Sequence, residues 1–393
     1  MKRYLPEWIP LGSAFACVLF VVPFIANAIV ASRVPDGPLV WLKAGDYEHT
    51  ESYFTDLQHR YEAGQLSDQQ LYQGFRNLYQ DDPANTGYFD QWVKAYPKSF
   101  AARVARGAYF YRMAWAARGE EFIANTPPES IERMEGFLAH SRPDLIASLA
   151  MTAKPYLSTL YLLNVEMLNG SSKSRRQWLD RGTAIDPNNR LLRVRYMVSL
   201  QPRWGGSIDE MRAFIAECTQ EKAQTTTLNA LKAELANEVA EEARARKATP
   251  TEMLARWDEV VQLSQSAGEP PPTRALVGYA RSAWVLNRRT EADRALAQLA
   301  RLDVDDASSL SQMGWIYVQE NRMAEGWAVL TKAAALNDAW SQFAVGKTLI
   351  EGCADINLPA DRRAGLAWMQ RSADQGFTEA VAYLAANKEK AVR

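Results

Sequence analysis

The side chains able to do metal or acid–base chemistry are few in this sequence and poorly grouped. His49 and His59 stand ten residues apart and His140 is remote from both, so no helical face carries two imidazoles at metal-ligand spacing. The patterns H-E-x-x-H, C-x-x-C, G-x-S-x-G and G-x-G-x-x-G are all absent. The carboxylate pairs Asp81-Asp82 and Asp305-Asp306 lie in turn-like settings, the first beside Pro83, where such residues are ordinarily solvated. Gly346-Lys347-Thr348 matches the end of a phosphate-binding loop, but that loop needs glycine at the position of Ser341 and a strand before it. These residues predict no catalytic group, no metal and no cofactor.

Two aromatic–arginine pairs are the better candidates. Trp115 and Arg118 are three residues apart and share a helix face; Arg203 and Trp204 are adjacent in a P-R-W-G-G-S loop. An arginine against an indole can form a cation–π contact or offer a flat anchor to a partner protein. The same residues can equally fill core while the arginines cap carbonyl groups at a helix end. The chemistry available is therefore recognition of another protein.

Composition points the same way. The chain has 393 residues, 47% of them hydrophobic, enough for a large core and two or three modules. A net charge of −1, with only short basic doublets at Arg175-Arg176 and Arg288-Arg289, excludes bulk attraction to nucleic acid. Cys17, Cys218 and Cys353 are too few for a disulfide scaffold. Residues 11–31 run for 21 positions without a charge, behind Lys2 and Arg3. That length spans a bilayer and predicts a single-pass inner-membrane anchor with the soluble part in the periplasm. The alternative is a signal peptide cleaved near Ala28, at Ala26-Asn27-Ala28.

The elements that must position these side chains read as helices throughout. The expected order is an anchor or signal over 1–32, a linker over 33–41, a helical domain over 42–267, a proline-rich linker over 268–272, and further helices over 273–387. Ser67-Asp68 offers a cap between two helices, Ser130 opens another, Pro143 is expected to start a new one, and 156–168 is apolar on all sides. Ser207 with Glu210, and Thr249 with Glu252, have capping-box spacing.

Family resemblances follow from motifs within this order. P-x-S-x-x-A-x-x-x-x-G from Pro97, A-W-A-A-R-G at 114–119 and P-R-W-G-G-S at 202–207 together resemble an uncharacterised bacterial family, domain of unknown function 4034, over about residues 42–220. That resemblance implies helices and a bacterial origin, and no established activity. Leu310, Gly314, Tyr317, Gly326, Leu330 and Ala333 stand where a tetratricopeptide unit needs bulky, small and aromatic residues. A weaker copy begins 34 residues earlier at Thr273, a candidate N-cap, with Leu276, Ala280, Ala292 and Leu296. Ala339–Gly352 followed by Asp361, Ala364, Trp368, Ala373, Gly376 and Ala380 resembles a Sel-one-like repeat whose loop lacks its usual second glycine.

The resulting expectation is an all-α helical-repeat (tetratricopeptide/Sel-one-like) solenoid. It would act as a non-enzymatic protein–protein scaffold or adaptor at the cell envelope, one version being a periplasmic neutralising partner of a secreted protein. No small-molecule substrate is expected. The competing class is a hydrolase or other enzyme on a helical scaffold.

Overall fold

In the computed structural model, which describes residues 37–119 and 125–392, local sequence sets most helix starts. In chain order the helices are α1 (Pro38–Ala44), α2 (Tyr47–Glu62), α3 (Asp68–Arg76), α4 (Thr86–Ala95), α5 (Phe100–Arg118), α6 (Pro128–Ser148), α7 (Tyr156–Asn169), α8 (Ser172–Ile185), α9 (Leu191–Ser199) and α10 (Ile208–Gln220). There follow α11 (Thr225–Ala245), α12 (Pro250–Ser266), α13 (Thr273–Val285), α14 (Arg289–Leu299), α15 (Ala307–Gln319), α16 (Met323–Ala335), α17 (Ala339–Glu351), α18 (Arg362–Asp374) and α19 (Thr378–Val392). The only β pairing among the described residues is an isolated bridge between Cys353 and Leu358. The described residues are thus all-helical, and the chain divides into two compact units, each with its own core.

The first unit runs through Glu238 and takes back Ser266–Glu269; the second holds Val239–Gln265 and the chain from Pro270 onward. The division therefore falls inside α11, and the chain returns to the second unit at Pro270, within the proline-rich stretch. The turn before those prolines is fastened to the first unit: Arg190 donates to the Ala267 carbonyl at 2.8 Å and pairs with Glu269 at 2.5 Å. Helix α1 also begins inside the segment expected as a linker, because Pro38 at the first helical position has its φ preset and has no amide to leave unpaired. The candidate membrane segment over 11–31 lies outside the described residues. Among those described, no helix is long and apolar enough to cross a membrane.

The first unit is built around α7, which is buried on every side from Tyr156 to Glu166. Helix α5 packs on α6 at closest approach through Gly107, where a Cβ would stand 2.7 Å from Leu145; the Gly107 carbonyl accepts from Ser141 Oγ at 2.6 Å. Asp144, buried on α6, takes Arg103 at 2.8 Å and Arg106 at 2.6 Å from α5. This docking explains why Pro143 does not start a new helix: α6 is continuous through it, with Ser141, Asp144, Leu145 and Ser148 all buried around the proline. Packing outweighs the lost hydrogen bond. Ser67 caps α3 in a capping box with Gln70. Asp68 serves a different helix: its Oδ2 accepts from the backbone amides of Arg190 at 2.9 Å and Leu191 at 2.8 Å, and from Tyr156 Oη at 3.0 Å. The start of α9 is capped from a residue more than a hundred positions away.

The second unit repeats. Asn287 and Asn321, 34 residues apart, both hold the left-handed conformation at φ 59°. Each precedes an arginine that pairs three residues on: Arg288 with Glu291 at 2.6 Å and Arg322 with Glu325 at 3.0 Å. Inside the pairs, small residues sit where facing helices leave no room. A Cβ on Gly314 would meet Leu330 at 2.5 Å, and one on Gly346 would meet the Gly365 carbonyl oxygen at 2.9 Å. Asp306, Asp338 and Asp361 cap α15, α17 and α18. Thr273 is the first helical residue of α13, and Pro272 stands at the cap, since its extended backbone already sets the entry. In the loop lacking its second glycine, Asn357 takes the left-handed turn at φ 52°.

Candidate interaction surface

The two aromatic–arginine pairs, far apart in sequence, form one cluster in the first unit. Trp115 and Arg118 leave the last turn of α5, and Trp204 ends a 3-10 turn over Pro202–Trp204. The indole centroids of Trp115 and Trp204 are 5.9 Å apart. The Arg118 guanidinium carbon lies 5.7 Å from one ring and 5.5 Å from the other, so the cation contacts both indoles from one side of the pair. Arg203 adds a third contact, 5.6 Å from the Trp204 ring. Arg118 is nearly buried and also donates to the Gly119 carbonyl at 3.0 Å. Trp115 and Trp204 are half-buried and Arg203 is exposed. Arg118 thus finishes a helix end, while the surface beside it stays open to solvent.

The P-R-W-G-G-S loop is rigid for reasons its letters carry. Gly205 holds φ 83°, and a Cβ on Gly206 would sit 2.2 Å from the Leu200 carbonyl oxygen. Arg175 of α8 ties the turn down, donating to the carbonyls of Ser199 at 3.0 Å and Trp204 at 3.3 Å.

Next to this cluster lies a band that residue spacing alone did not single out. Tyr111 is one turn before Trp115 on α5, and its ring is 6.0 Å from Tyr161, which is also 6.2 Å from Tyr72 and 5.9 Å from Tyr79. Arg195 of α9 hydrogen-bonds to Tyr72 within this group, near Tyr111 and Tyr161. Burial pushes the Tyr111 phenol up, and burial with the neighbouring phenols pushes Tyr161 well up, so both remain neutral. Glu234 of α11 completes the band, accepting from Gln201 Nε2 at 3.4 Å. Burial, then the nearby carboxylates Glu269 and Glu238, push its carboxyl up to about 7 against the pull of Arg195 and Arg203. Glu234 nevertheless keeps part of its surface in water, as do Tyr72, Tyr111 and Arg195. The trace in the sequence was slight: an arginine amid the buried residues of α9, and two glutamates four apart on α11.

The remaining sequence candidates have local duties. Asp81 pairs with Arg112 at 2.9 Å, Asp82 caps the Ala84 amide at 3.0 Å, and His49 pairs with Asp46 at 2.6 Å. His140 stacks on Phe110 with 5.1 Å between centroids. Among the described residues no group of three or more His, Cys, Asp or Glu side chains is placed to hold a metal. Gly346-Lys347-Thr348 lies in mid-helix on α17, where the glycine admits α18 and Thr348 Oγ1 donates to the Ala344 carbonyl at 2.8 Å.

No curated protein matches the chain. Among solved structures, similarity extends to a monomeric mutant of IFIT1 with Gppp-AAAA, at 10% identity, 86% of this chain, 79% of that one and a TM-score of 0.29. A second IFIT1 monomeric mutant, with m7Gppp-AAAA, gives 10% identity, coverage of 86% and 80%, and a TM-score of 0.28. Superpositions this loose carry no inference about fold or ligand. The family described as "Domain of unknown function (DUF4034)" matches residues 124–236, taking in the 202–207 loop and leaving the 114–119 motif outside.

Proposed function

We propose that this protein is a non-enzymatic scaffold that holds another protein against a helical-repeat surface at the bacterial cell envelope. One observation carries the reading: Trp115, Arg118, Arg203 and Trp204 come from two separate elements and meet in a cation–π cluster with one side open to solvent. Tryptophan and arginine on a rigid, half-buried site are the side chains that most often anchor protein interfaces. In the same reading, α13–α14 and α15–α16 are tetratricopeptide units and α17–α18 a Sel-one-like unit, supported by the 34-residue recurrence of the Asn-Arg turn and its glutamate. Stacked helix pairs of that kind bind partners along a concave face. Residues 11–31 would anchor the chain in the inner membrane, placing the units in the periplasm, with cleavage near Ala28 the alternative. A partner that is itself exported, held in a neutralised state, suits that location.

The test is cross-linking and affinity capture of the full chain from detergent-solubilised membranes, comparing it with the Arg118→Ala/Arg203→Ala variant. Loss of a specific partner with helicity unchanged supports the scaffold. A lower melting temperature with the partner retained makes the cluster a piece of core. Arg203→Ala alone serves as the check that folding is intact, because that side chain is exposed.

One observation favours an enzyme instead, namely Glu234, whose carboxyl is poised near neutrality beside two arginines. A hydrolase would need that carboxyl as its acid or base, so Glu234→Gln would abolish turnover of any substrate found. The scaffold reading expects Glu234→Gln to keep partner binding.

A further inference from the structure

The second unit holds an arginine without a carboxylate partner among the described residues. Arg281 lies on α13, half-buried, with its guanidinium carbon 5.8 Å from the Trp315 ring of α15. Its one side-chain hydrogen bond among the described residues is long, from Nη1 to Gln312 Oε1 at 3.4 Å. Among the described residues no carboxylate comes within ion-pairing reach of it, and no neighbouring charge offsets the desolvation that lowers its pKa. Other arginines nearby are matched: Arg289 with Glu320 at 2.7 Å, Arg288 with Glu291 at 2.6 Å, and Arg274 with Glu241 at 3.0 Å. Exposed arginines stand unpaired at no cost in water, but a half-buried guanidinium with no counter-charge is an unfavourable feature of the free protein.

Its surroundings describe what would relieve it. Trp284 and Trp315 stand edge to face with centroids 4.7 Å apart, both half-buried. The Trp284 indole N–H is committed to Glu320, which also holds Arg289 over the Trp284 ring at 4.5 Å. The site therefore presents one uncommitted positive charge beside an apolar indole wall. A carboxylate carries one negative charge and matches the planar guanidinium fork. A phosphate monoester carries about −1.5 to −2 and asks for more than one cation.

Resting on the scaffold reading, we infer that Arg281, with Gln312 and the indoles of Trp284 and Trp315, receives an aspartate or glutamate side chain flanked by apolar residues on the partner protein. The experiment uses the purified full chain and fluorescein-labelled ELELE peptide, acetylated and amidated, read by anisotropy. Arg281→Gln and Arg281→Leu should each weaken binding about tenfold or more, and a QLQLQ peptide should bind as poorly to the unaltered chain. Inorganic phosphate at the same concentration should not displace ELELE. Without peptide, Arg281→Leu should raise the melting temperature by roughly 2–4 °C, since it removes an uncompensated charge. Equal binding by Arg281→Gln, displacement by phosphate, or a lower melting temperature for Arg281→Leu each overturns the inference. The outcomes separate from those of the scaffold reading. If Arg281→Gln captures the same partner as fully as the unaltered chain, only the carboxylate site fails. If the unaltered chain captures no partner, the scaffold itself fails.

Discussion

Helices α5 and α6 in the first unit meet through a buried carboxylate, Asp144, gripped by two arginines, and α9 starts on a cap lent by Asp68. Helices α15 and α16 in the second unit meet through Gly314 against Leu330, and α15 starts on the neighbouring cap Asp306. The first unit is closed by polar contacts between residues far apart in the chain, the second by small residues and caps that recur along it. A unit made by repetition needs only nearest-neighbour contacts. A unit made once must specify its long-range contacts individually, and buried charge does that directionally at the risk of a large penalty if one member is lost.

The largest expected effect comes from breaking that specification. Asp144→Ala leaves Arg103 without its carboxylate, and Arg106 with only the exposed Asp90, beside a closed helix interface. It should destabilise the first unit by about 3–5 kcal/mol, measured by urea denaturation. A loss below about 1 kcal/mol would mean the clamp is ornamental, and the contrast between the units would fall. In the second unit, Gly346→Val should cost about 1–3 kcal/mol, because the Gly365 carbonyl in its way is backbone and cannot rotate aside. Asp306→Ala, a local cap, should cost only about 1 kcal/mol.

Glu234 sharpens the comparison through pH. Its carboxyl titrates near 7 in the folded chain against 4.5 as the ordinary value, so between those pH values the folded state holds the extra proton. Stability should therefore fall as pH rises from about 4.5 through 7, by roughly 1–2 kcal/mol after discounting for the solvent Glu234 still meets. Glu234→Gln should flatten that slope, and a slope unchanged in the variant would remove Glu234 as its source. The smallest effect is a gain. Gly136 on α6 is exposed with open space around a would-be Cβ, so Gly136→Ala should stabilise by about 0.5–1 kcal/mol in a thermal melt.

Local signals made much of the fold readable beforehand. Apolar periodicity and Ser or Asp caps mark most helices, and the alternation of Gly314, Leu330, Gly326 and Ala333 declares a paired-helix geometry because close approach admits only small side chains. Pro143 misled, since a local rule about a missing amide cannot see how many buried groups hold the helix on either side.

The candidate surface divides along the same line. Sequence alone determined that Trp115 shares a helix face with Arg118 and that Trp204 follows Arg203 in a glycine-tied loop, because backbone geometry fixes neighbours a few residues apart. Only the tertiary structure decided that the two pairs are one cluster, that Tyr72, Tyr111, Arg195 and Glu234 border it, and that Arg281 has no carboxylate beside it among the described residues. Each of those facts depends on distances between side chains on different helices. Helical periodicity says which way a side chain points, and only packing says what it meets.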